Sequence, residues 1–83
     1  MDNIENTIRE TVTQILAKKG RTPRTFDADA SILEDGLGLD SLDVAELVVR
    51  LEIALNIDPM GLFELGNRIR FGDLVKYYQR GKS

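Results

Sequence analysis

Residues 41–56 place apolar side chains on two separate lines of one helix. Val44, Leu47, Val48, Leu51 and Leu55 are spaced 3, 1, 3 and 4 apart and read as the side turned to a core, whereas Leu42, Ala45 and Val49 are spaced 3 and 4 on another side. In a chain of 83 residues, such a helix is either sandwiched between neighbours or keeps one side for a partner. The second apolar line is bordered by Asp43, Glu46, Arg50 and Glu52. A small apolar centre with a charged rim is the composition of a docking surface.

The start of this helix is equally constrained. The approach is Gly36-Leu-Gly-Leu-Asp-Ser-Leu-Asp43. Gly36 and Gly38 allow a sharp turn and leave the junction uncrowded. Asp40 has the chemistry of an N-cap, its carboxylate accepting from the orphan N–H groups of the first turn. Asp43 adds negative charge at the positive end of the helix dipole. Ser41 therefore stands at a rigid helix end with open space before it. A helix N-terminus can also favour an anion linked at that place.

Other elements follow from period and punctuation. Ile4, Ile8, Val12, Ile15 and Leu16 form one stripe and predict a helix over residues 3–19, capped by Asp2 or Asn3 and ended by Gly20, with Lys18 and Lys19 at the C-terminal end of its dipole. Residues 20–40 show no helical period and read as a long loop, with Phe26, Ile32, Leu33 and Leu37 as apolar anchors and one helical turn around 31–34. Leu62, Phe63 and Leu65 fit a short helix between Gly61 and Gly66, and Ile69 and Phe71 return to the core. A last helix is predicted over 72–80, with Leu74, Val75 and Tyr78 inward and Gly81 as its stop. The expected fold is all-α: a small four-helix bundle of three main helices plus one short helix, with a long loop between the first two, forming one domain over 1–83.

Composition narrows the chemistry. The chain has no cysteine and no histidine, so disulfides, thiolates and the commonest general base and zinc ligand are excluded. Ser41 as a hydrolase nucleophile has no histidine to activate it and no Gly-x-Ser-x-Gly elbow. The run Asp27-Ala-Asp-Ala-Ser31 fails as a calcium loop: Ile32 stands where the loop needs glycine, and Gly38 where it needs a bidentate glutamate. No metal site is expected. Net charge is −3, which argues against nucleic acid. Eight acidic residues and one basic residue lie between 27 and 52, so a basic partner surface is expected to meet that segment. No secretory signal or membrane span is recognisable, and a cytoplasmic monomer is the expectation.

The stretch GLDSLDVAEL, with Asp-Ser-Leu opening an amphipathic helix in the middle of a chain of this length, resembles the attachment site of the acyl carrier protein family. Gly72-Asp73 at the start of the last helix fits the same resemblance. It implies that Ser41, between Asp40 and Leu42, bears a covalent 4′-phosphopantetheine arm whose thiol carries an acyl group as a thioester. It also implies that Leu42, Asp43, Ala45, Glu46, Val49 and Glu52 face partner enzymes. Those partners would be a phosphopantetheinyl transferase and acyl-loading and acyl-processing enzymes of fatty-acid, lipid or polyketide biosynthesis, the chain itself not being an enzyme. A peptidyl or aryl carrier has the same attachment with another cargo, and a helical interaction module would use Ser41 only as a cap. Arg50 stands where the family leads one to expect a neutral or acidic side chain, and Arg21, Arg24, Arg68 and Arg70 add further basic charge. A specialised member of the family is therefore expected.

Overall fold

The computed structural model describes residues 3–64 and 69–82. Helices α1 (Asn3–Ala17), α2 (Ser41–Leu55), α3 (Met60–Phe63) and α4 (Phe71–Lys82) follow in order. Among the described residues there are no strands, only two isolated bridges, Ser31 with Arg70 and Leu33 with Leu39. The structure is all-α, as its periodicities require. Asp2, Leu65 and Gly66, read above as a cap, an apolar position and a helix stop, lie outside the described residues.

α1 turns Ile8, Val12, Ile15 and Leu16 fully inward. The helix ends at Ala17, two residues short of the expected bound, and Gly20 closes its C-terminus as expected. Gly20 has φ 71°, its N–H donates to Ala17 O, and the Arg21 N–H donates to Leu16 O at 3.0 Å. These are the paired bonds of a Schellman motif, whose left-handed residue suits glycine. α2 packs on α1 with Leu47, Val48, Leu51 and Leu55 buried. It stops at Asn56, also left-handed (φ 56°, ψ 44°), whose N–H donates to Glu52 O. α4 adds Phe71, Leu74, Val75 and Tyr78 to the same core.

The loop between α1 and α2 is held against α4. Ile32 N–H donates to Ile69 O at 3.1 Å, Phe71 N–H to Ala30 O at 2.8 Å, and Gly72 N–H to Ala28 O at 2.9 Å. Phe26 meets Phe71 with ring centroids 5.2 Å apart, and the Arg9 guanidinium covers both rings. These bonds satisfy backbone groups that a long loop would otherwise leave exposed or orphaned.

Four expectations are corrected. Leu33 is not an anchor; it is 36 % exposed, and Leu39 is buried in its stead. The segment 31–34 is not a helical turn: Gly36 N–H bonds back to Leu33 O, so the chain turns just after it. Gly81 does not stop α4, which continues through it. A Cβ at Gly81 would lie 2.8 Å from Ile57 Cγ2, so the glycine permits close packing. Val44 is only partly buried at the edge of the core.

Tyr78 is fully buried, and its hydroxyl has no hydrogen-bond partner among the described residues. Burial, with smaller contributions from Tyr77 and Glu52, pushes its pKa up to about 12. A phenol whose folded pKa is raised contributes stability that is complete below its ordinary value of about 10 and is lost as pH rises through about 12. Tyr78→Phe removes an unsatisfied buried donor, so it is expected to raise stability by about 1 kcal/mol at neutral pH. It should also reduce the loss of stability between about pH 10 and about pH 12. Urea midpoints at neutral and alkaline pH measure both effects.

Candidate functional site

Asp40 precedes α2 in extended backbone (φ −93°, ψ −179°). Its Oδ1 accepts from the Asp43 N–H at 2.8 Å, and Asp43 Oδ2 accepts from the Asp40 N–H at 3.1 Å. This is a reciprocal capping box built from two aspartates, and it satisfies two orphan donors at once. Ser41 is the first residue of the helix and is exposed. Asp40 carries the cap, so the Ser41 hydroxyl is left out of the structural duty that a serine at a helix start usually performs.

In front of Ser41 lies an open cleft of about 440 Å³ lined by Leu33, Glu34, Asp35, Leu39, Asp40 and Ser41. The two glycines of the approach shape it by different means. Gly38 has φ 104°, a conformation that side chains disfavour. Gly36 lies against the backbone of Ser31, where a Cβ would come within 1.9 Å of the carbonyl oxygen.

Two carboxylates beside Ser41 would repel one another and any anion linked there. Lys19 offsets that repulsion: its Nζ lies 2.8 Å from Asp40 Oδ2 and 2.9 Å from Asp43 Oδ2. Sequence reasoning assigned Lys19 to the dipole of α1. The pairing spans 21 and 24 residues and depends on how α1 crosses α2, so no local signal could show it. The bond from Lys19, and then that from the Asp43 N–H, hold the Asp40 carboxyl below its usual range. The same bonds to Asp40 and Asp43 raise the Lys19 pKa. Glu46 is likewise lowered, first by Lys18 and then by Arg50.

The signs give opposite pH limbs. Depressed carboxylates such as Asp40 and Glu46 contribute stability that is complete above their ordinary range of about 4 and is lost as pH falls through their folded values. Raised Lys19 contributes stability that is complete below its ordinary value of about 10.4 and is lost above it. Urea midpoints are therefore expected to fall as pH drops below the ordinary carboxylate range of about 4, and Lys19→Met should flatten this acid limb. An acid limb of unchanged slope in Lys19→Met would refute the pairing.

The positions expected to face partners separate into two groups. Leu42 is 79 % and Val49 55 % exposed, and Ala45 and Glu52 are exposed as well. Asp43 is 4 % exposed, its carboxylate spent on the cap and on Lys19. Glu46 is half-buried between Lys18 and Arg50. The exposed apolar line continues to Ile53, at 78 % exposure. Sequence reading missed Ile53, although it stands four residues beyond Val49.

Residues 6–70 match the family model of the phosphopantetheine attachment site. The matched span contains the capping box, Ser41 and the cleft, and the chain belongs to that family of phosphopantetheine-carrying carrier proteins. 4′-Phosphopantetheine, covalently attached, is the family's cofactor. No curated protein and no solved structure matches the chain. No helix among the described residues is long and apolar enough to cross a membrane.

Proposed function

We propose that Ser41 bears the 4′-phosphopantetheine arm and that the chain carries acyl groups on it as thioesters. The observation that carries this reading is an exposed serine at the first position of α2, relieved of capping by Asp40 and opening onto a cleft. The helix start favours the phosphodiester of the arm, and Lys19 reduces the repulsion it would meet from Asp40 and Asp43. Leu42 flanks the attachment point and is exposed beside it.

In this reading the chain performs no chemistry of its own. It presents a tethered thioester at high effective concentration to a succession of active sites. Its partners are a phosphopantetheinyl transferase and then acyl-loading and acyl-processing enzymes of a dedicated fatty-acid, lipid or polyketide pathway in the cytoplasm, met by a monomer. The exposed side of α2 beside Ser41 is where they dock, through Leu42, Ala45, Val49 and Glu52.

The test is intact-mass measurement after incubation with coenzyme A and a broad-specificity transferase. The chain is expected to gain the mass of one arm, and Ser41→Ala to gain none. The loaded form should then take up an acyl group that neutral hydroxylamine releases. An equal mass gain in Ser41→Ala would move the attachment elsewhere.

A further inference from the structure

We propose that enzymes acting on the arm recognise α2 chiefly by apolar contact, and that the surface fitting it is an apolar groove of low charge, not a basic patch. The proposal rests on the carrier reading above and specifies its partner surface.

Geometry gives the apolar part. At about 100° per residue, Leu42, Val49 and Ile53 lie within about 40° of one another on α2. All three are more than half exposed, at 79 %, 55 % and 78 %. The strip begins at the residue after Ser41 and runs along the helix towards its C-terminal end. An enzyme that reaches the arm at its root therefore comes against this strip.

Charge gives the other part. α2 carries three carboxylates, Asp43, Glu46 and Glu52, and one guanidinium, Arg50. Asp43 is buried on Lys19. Glu46 forms ion pairs with Lys18 and, at 2.7 Å, with Arg50. Arg50 in turn reaches Gln14 of α1 at 3.3 Å. Glu52 is the one α2 carboxylate with no cation paired to it among the described residues. The flank formed by Glu46 and Arg50 is thus neutralised within the chain, and a basic surface would meet cations as readily as anions there. Long-range steering needs an uncompensated patch, and the flank of α2 beside the strip lacks one; the exposed carboxylates of Glu34 and Asp35 line the cleft before Ser41, not the strip.

The test measures the rate of arm attachment by a broad-specificity transferase with coenzyme A, across salt and in variants at exposed positions. For the native chain, kcat/KM is expected to change by less than about threefold between roughly 50 mM and 500 mM sodium chloride. The Val49→Ser, Ile53→Ser double variant is expected to lose about tenfold or more at either salt, two exposed apolar side chains having lost their burial against the partner. Glu52→Gln, which removes one rim charge of the docking surface, is expected to cost less than the double variant at either salt. Circular dichroism melts of the double variant should match the native chain, because both side chains are exposed. A fall of more than about tenfold with salt, or a larger loss in Glu52→Gln than in the double variant, overturns the proposal. Dimerisation in the ultracentrifuge that the double variant abolishes also overturns it, since a second copy would then cover the strip. No mass gain in the native chain at any salt removes the carrier reading itself, an outcome distinct from steep salt dependence.

Discussion

Gly36→Ala is expected to destabilise the fold by about 3 kcal/mol or more, a loss that belongs to the severe class for a single methyl group. A Cβ at this position would lie 1.9 Å from Ser31 O, 2.7 Å from its carbonyl carbon and 2.8 Å from its nitrogen. The obstacle is backbone, which cannot rotate aside as a side chain can. The same Ser31 carbonyl accepts from Leu37 N–H at 2.8 Å, and Ser31 is bridged to Arg70 at the start of α4. Displacing it therefore loosens the loop at both its attachments and unsettles the segment that delivers Asp40 and Ser41 to α2. Arm attachment is expected to slow in parallel. Gly38→Ala provides the contrast. Nothing lies within 4 Å of its would-be Cβ, so only the positive φ is penalised, at about 1–2 kcal/mol. Urea unfolding of both variants orders them, and a Gly36→Ala variant no weaker than Gly38→Ala would contradict the packing described.

The second large effect lies in the core. Leu51 is fully buried on α2, and Leu51→Ala is expected to cost about 2–5 kcal/mol from lost transfer energy and the cavity left behind. A chain of this length has a total stability of roughly 4–12 kcal/mol, so the variant loses a large fraction of it. Ile53→Ala, two residues away on the same helix but 78 % exposed, should change stability by no more than about 0.5 kcal/mol. The pair separates the two apolar lines of α2 by thermodynamics: one holds the fold together and the other does not. Equal losses in the two variants would mean that both lines are buried.

The helices that carry the site were legible because their information is local. Ile8, Val12 and Ile15 announce α1 by period alone, and Asp40 before Ser41 announces the start of α2 by capping chemistry. The loop was less legible. Nothing in its sequence distinguishes Leu33 from Leu39, and which of them faces inward is decided by the turn at Gly36 and the bonds to Ile69 and Phe71 across the fold. Gly81 shows the same ambiguity in a helix, since a glycine can end one or permit a neighbour such as Ile57 to approach. The electrostatics of the site were the hardest part to read. Asp43 reads as a surface charge in sequence and is buried in the structure, because its partners are the Asp40 backbone and a lysine from the far end of α1. Lys18 and Glu46 are likewise paired only once α1 lies beside α2.

In the proposed function Ser41 anchors an arm ending in a thiol. The chain contains no cysteine, so any thiol it acquires belongs to the arm. Thiol titration of the denatured, desalted protein is expected to give no thiol before treatment with transferase and coenzyme A, one thiol per chain after it, and none at either stage in Ser41→Ala. A native chain that gains no thiol, or a Ser41→Ala chain that gains one, would contradict that reading.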